Sequence, residues 1–135
     1  MTMSTNRSVT ASFTAWGVAS AWFAGSSWVS GTYTPSGSFS IVPYPGFGGT
    51  VVPLVCDWNS DGRNDLLTGV GAGGGPHLKI YTVPGGGGLT EVVSSFVAQC
   101  DASYCYTGGA WPIACLGNRW VRIQYGNGVV QDHYR

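Results

Sequence analysis

DWNSDGRNDLLTGVGAGGGPHLKIYTV, residues Asp57–Val83, carries the densest chemical signal in the chain. Its first nine residues set side-chain oxygens at Asp57, Asn59, Asp61 and Asp65, which are positions 1, 3, 5 and 9 of a loop. The backbone carbonyl of Arg63 falls at position 7, and Gly62 sits where the chain must turn sharply. Hard oxygen donors at this spacing suit calcium, which accepts roughly 6–8 oxygens in flexible geometry, better than magnesium with its rigid octahedron. An EF-hand would need a bidentate Glu at position 12. Here that position is Thr68, and the flanks Thr50–Cys56 and Leu66–Val70 read as strands. The expectation is a β-flanked loop holding one calcium ion. The bland alternative is an Asp/Asn-rich turn without metal, in which three crowded acids repel one another with no cation between them.

Outward from this loop the pattern stays β. Twenty-two glycines and seven prolines in 135 residues disfavour helices and suit short strands joined by tight turns. In His77–Tyr81, Leu78 and Ile80 share one face while His77, Lys79 and Tyr81 take the other. The expected strands are Ser12–Val18, Ala21–Ser30, Ser38–Val42, Thr50–Cys56, Leu66–Val70, His77–Val83, Thr90–Ala98, Trp111–Leu116, Arg119–Tyr125 and Val129–Tyr134. Asn127-Gly128 reads as a type I′ hairpin turn. Trp16, Trp22 and Trp28 have the same parity, so a continuous strand pair would show all three on one face. That face would serve as core, as a subunit contact or as an aromatic platform for a sugar ring.

A repeat underlies the pattern. SFSIVPYPGFGGTVVPLVCDW from Ser38 and SFVAQCDASYCYTGGAWPIACLG from Ser95 both run Ser-Phe, aromatic loop, Gly-Gly, then an apolar strand with an internal proline. Pro53 aligns with Pro112 and Cys56 with Cys115, and Ser12-Phe13 starts a third, degenerate copy. A period of this length holding about four strands marks a sheet repeated as a blade or layer. Cys56–Ala98 also resembles one repeat of the FG-GAP family, the integrin-α-like or VCBS-like repeats, through its DxNxDGxxD loop, GAGGGPH turn and SFVA strand. That resemblance implies propeller-type, four-stranded antiparallel blades with calcium between the first two strands, and roles in adhesion, ligand binding and scaffolding without catalysis. In the second copy Leu116-Gly117-Asn118-Arg119 stands where DWNSDG stood, so one ion is expected. The chain divides into an N-terminal β segment (1–37), the repeat with its calcium loop (38–98) and a degenerate repeat (99–135). About two blades are too few to close a propeller of typically 4–8, so oligomerisation is expected to complete the structure.

Composition narrows the function classes. Six basic and six acidic residues give zero net charge, which predicts neither nucleic acid nor an anionic membrane surface as partner. Charged residues make up 9% of the chain, against roughly 25% in an average soluble domain. With 13% aromatic residues, this points to surface covered by other subunits. No apolar run approaches the roughly 18 residues of a membrane-spanning helix. Val9–Ala24 faintly resembles a secretory leader, but Ser and Thr interrupt it, and no cleaved leader is expected. Cys56, Cys100, Cys105 and Cys115 permit three disulfide connectivities, and their spacing does not fit zinc. Buried thiols and a local Cys100–Cys105 bridge both stand as readings.

No GxSxG, HExxH or Walker pattern occurs, and Gly71–Pro76 lacks the Lys-Ser/Thr of a phosphate loop. His77 falls in a structural turn before a strand. The chain is therefore expected to be a non-catalytic, calcium-stabilised structural or adhesive subunit. It would assemble with itself or with other subunits at a cell surface, in an extracellular fibre or in a virion. The alternative is a lectin-like module whose Trp16, Trp22 and Trp28 hold a glycan.

Overall fold

A computed structural model describes residues 16–23, 27–45, 50–100 and 103–135. Every regular element in these residues is a strand, paired antiparallel, in keeping with the all-β, blade-like expectation. β1 (Gly17–Phe23), β2 (Val29–Thr34) and β3 (Ser38–Ile41) form a three-stranded meander. β4 (Val51–Cys56), β5 (Asp65–Val70), β6 (His77–Thr82) and β7 (Thr90–Phe96) form a four-stranded one. The two-residue strands β8 (Gln99–Cys100) and β9 (Cys105–Tyr106) pair with each other. β10 (Ala110–Gly117), β11 (Trp120–Tyr125) and β12 (Val130–Tyr134) complete a third meander.

The four-stranded sheet is the middle layer, and β5 shows it. All six of its residues, DLLTGV, are buried, because a sheet covered on both faces needs apolar side chains on both. Leu67, with Leu78 and Ile80, packs against Val121, Ile123 and Tyr125 of the third meander. Leu66 and Val70 face the other way, against Val18 and Val29 of the first. The third meander is hydrogen-bonded to β5 only through Ala110 and Val70 and curls back over the middle sheet. At the far end Arg135 Nε donates to Ser95 Oγ on β7 at 2.7 Å, so the curl returns to the opposite edge.

The crossing of β5 and β10 depends on Gly69. A Cβ there would lie 2.4 Å from Trp111 Cα and 2.5 Å from the Ala110 carbonyl oxygen, and neither backbone atom can turn aside. Gly69→Ala is expected to cost about 2 kcal/mol by forcing the strands apart, read as a shift in the urea midpoint. A midpoint equal to wild type would show that the two sheets slide freely.

Eight of the expected strands match observed ones to within two residues at each end. The N-terminal pair does not. The chain reverses inside the expected strand Ala21–Ser30, because β1 ends at Phe23 and Phe23 pairs with Val29 at the start of β2. Residues 24–26 between them lie outside the described residues, as does most of the expected Ser12–Val18 strand. Asn127-Gly128 is not a type I′ turn, since only Gly128 has positive φ and its N–H bonds the Tyr125 carbonyl at 2.9 Å. The two-residue turn with both φ positive is Asn118-Arg119 (52° and 73°), between β10 and β11.

The four cysteines form two disulfides, Cys56–Cys115 and Cys100–Cys105, which removes the reading of buried free thiols. Cys56 ends β4 and Cys115 lies two residues before the end of β10, at the positions the sequence aligns. Their bridge ties the middle layer to the third.

Candidate metal centre

β4 and β5 stay paired to Cys56 and Asp65, and the loop between them folds around its own carboxylates. Asp57 Oδ1 accepts the Asp61 N–H at 3.2 Å, and its Oδ2 accepts the Gly62 N–H at 2.8 Å. Asp61 Oδ1 accepts the Arg63 N–H at 2.9 Å. Ser60 and Gly62 adopt positive φ of 60° and 82°, which curls the backbone inward; glycine takes this conformation without strain. Asp65, only 2% exposed, accepts the Trp58 N–H through Oδ2 at 3.0 Å.

The result is a ring of oxygens. One carboxylate oxygen from each of Asp57, Asp61 and Asp65 lies within 4.8 Å of the others. Asn59 Oδ1 is buried and has no hydrogen-bond partner, an arrangement that costs free energy unless something binds there. Arg63, expected to lend its carbonyl, also sends its guanidinium to Asp61 at 3.4 Å. Burial, together with the charges of Asp61 and Asp57, pushes the Asp65 carboxyl up to about 6. The donor set consists of hard oxygens from one short segment, and it fits a calcium ion.

The sign of the resulting pH effect differs with and without metal. Without it, the folded state holds a proton on Asp65 that the unfolded chain releases near 3.8, so stability falls as pH rises from about 4 to 6. With calcium present, the ion competes with that proton, so the stabilisation it confers grows over the same window. Melting curves across this range with and without calcium should therefore diverge, and parallel curves would refute the coupling.

The loop also touches both flanking layers. The Asn64 carbonyl accepts the Val18 N–H of β1 at 2.8 Å, and the Trp58 carbonyl accepts the Arg119 N–H at 2.8 Å. Ser60 Oγ accepts the Asn118 N–H at 2.8 Å, and the Arg119 guanidinium lies 5.1 Å from the centre of the Trp58 ring. Trp58, Ser60, Asn118 and Arg119 had no sequence signal of their own. Their only pointer was the alignment of Leu116–Arg119 with the calcium loop, which placed the two turns at corresponding ends of neighbouring sheets.

The chain matches no protein-family model, no curated protein and no solved structure. Its function is therefore argued from its own geometry. A shallow cleft of about 240 Å³ lies beside the loop, lined by Gly17, Val18, Ala19, Thr34, Gly62, Arg63 and Asn64. This lining presents a single charged side chain and no general acid or base.

The three tryptophans do not share a face. A register shift between Val18 and Ser20 makes Ala19 a bulge, and one extra residue reverses the side-chain phase along β1. Trp16, before the bulge, packs on the core of Val18, Val29, Leu66 and Val70, edge-on to Tyr33 with centroids 5.9 Å apart. Trp22, after it, is 49% exposed, as is Trp28 just before β2.

Proposed function

We propose that this chain is a non-catalytic, calcium-stabilised structural subunit built on an FG-GAP-like repeat, and that it works inside a larger assembly. The unpartnered Asn59 Oδ1, in the same short loop as the three clustered carboxylates, carries the metal reading. A bound ion would be held by Asp57, Asn59, Asp61 and Asp65, with the Arg63 carbonyl as a further donor. It would neutralise charge the loop now concentrates, and would hold the loop's hydrogen bonds to the first and third layers in register.

The assembly reading rests on low charge and on open β edges. Among the described residues β3, β7 and β12 each pair on one side only, and such edges invite further partners. Two disulfides favour an oxidising setting, such as the cell exterior or an assembled particle. No helix of the described residues is long and apolar enough to cross a membrane. Light scattering on the calcium-loaded chain is expected to return a mass of two or more copies, and a stable monomer at high concentration would overturn the assembly reading.

A second reading has one specific observation behind it. The outward face of β1–β3 presents Trp22 and Trp28 among hydroxyls, with Ser20 bonded to Thr32 at 2.8 Å and Ser30 to Ser40 at 3.0 Å. A neutral surface of this kind suits a sugar ring stacked on tryptophan. Glycan-array binding that Trp22→Ala abolishes would favour it, and an array at background would end it.

A further inference from the structure

The outer face of the third meander forms a regular grid. Trp111, Gln124 and Val130 stand in one row, and Ala114, Arg122 and Asp132 in the next. Trp120 and Tyr134 close the grid, with ring centroids 5.6 Å apart. β10 carries two irregularities, after Pro112 and after Cys115. Each leaves one residue unpaired, Ile113 and Leu116, and both emerge exposed. A regular strand would have turned one of any two neighbours inward; the bulges add aliphatic surface to the outside.

The concentration is uneven across the molecule. Of eleven exposed large hydrophobic side chains among the described residues, five stand on this face, Ile113, Leu116, Trp120, Val130 and Tyr134, at 38–52% exposure, while a sixth, Val129, lies in the turn before β12. Together the five present on the order of 400 Å² of surface, within the range of a typical monomer's largest apolar patch. With the polar groups between them the face approaches roughly 800 Å², the share each partner contributes to a standard stable interface.

We infer that this face binds the same face of a second copy of the chain, the two related by a two-fold axis through the middle row. The charges identify the partner. Within the two rows the ionic groups are Arg122 and Asp132, whose Nε–Oδ1 distance is 2.9 Å and Nη2–Oδ2 distance 3.3 Å; the Arg119 guanidinium borders the grid, 5.5 Å from the Tyr134 ring. Their side chains remain 45% and 40% exposed. A face carrying one cation and one anion in one row is its own electrostatic complement: a two-fold sets each Arg122 against the other copy's Asp132 and closes a four-membered ring of alternating charge. This inference rests on the assembly reading and specifies its contact.

The test uses the full chain with calcium present. Gln124→Cys, in the grid, is expected to form an intermolecular disulfide under mild oxidation, and Ser40→Cys, on the outward face of β1–β3, is not. Leu116→Ser/Trp120→Ser should raise the dimer dissociation constant tenfold or more, with near-ultraviolet circular dichroism confirming that the fold is kept. If the chain assembles but Gln124→Cys stays uncrosslinked and the double variant assembles as wild type does, this face is wrong and the assembly reading survives on another. If the wild-type chain is monomeric throughout, both fall.

Discussion

Chelating calcium from the loaded chain is expected to lower its melting temperature by roughly 15 °C. Calcium present at about a thousand times its dissociation constant contributes about 4 kcal/mol to the folded state, and each kcal/mol moves the midpoint of a chain this size by roughly 4 °C. The physical source is the loop's own charge. One carboxylate oxygen from each of Asp57, Asp61 and Asp65 lies within 4.8 Å of the others, and each carboxylate accepts a backbone hydrogen bond. Asp61→Asn separates the metal from the turn. Its amide oxygen still accepts the Arg63 N–H, so in EDTA the variant should be at least as stable as wild type, because one repulsive charge is gone. In calcium it should be much the less stable of the two. Identical melting of the wild-type chain in calcium and in EDTA would end the metal reading.

The second large effect belongs to the disulfide between layers. Cys56 and Cys115 are 59 residues apart, and closing that loop in the unfolded chain contributes about 4 kcal/mol on the chain-entropy argument. Cys100 and Cys105 are 5 apart, which reduces the same term to about 2 kcal/mol. Cys56 and Cys115 also pack against the first core, so Cys56→Ala/Cys115→Ala removes packing as well as a constraint. Urea unfolding should rank this pair well below Cys100→Ser/Cys105→Ser. The reverse ranking would mean that the third meander holds its place without the bridge.

Much of the architecture was legible before any coordinates. Strands from β3 to β7 and from β10 to β12 follow from alternation and from Gly and Pro punctuation, which act over a few residues and so show in a short window. The acidic cluster of the Asp57–Asp65 loop was legible for the same reason, since all its expected donors fall within nine consecutive positions. What failed was also local, but smaller: a bulge is a single extra residue with no mark in composition. At Ala19 it turned Trp16 inward and Trp22 outward, and in β10 two irregularities exposed Ile113 and Leu116.

By itself the sequence determined the all-β class and the oxygen set of the loop, because each depends on spacing along one chain. Only the tertiary structure decided that the repeat-related cysteines join each other, and that β5 is buried on both faces. It alone showed that the Asp57–Asp65 loop bonds to the layers on either side through Asn64, Trp58 and Ser60. Those are contacts between segments tens of residues apart, selected by which faces stack and how the sheets curl. No local pattern encodes the stacking, since an apolar face reads the same whether a neighbouring sheet, a distant segment or a second chain covers it.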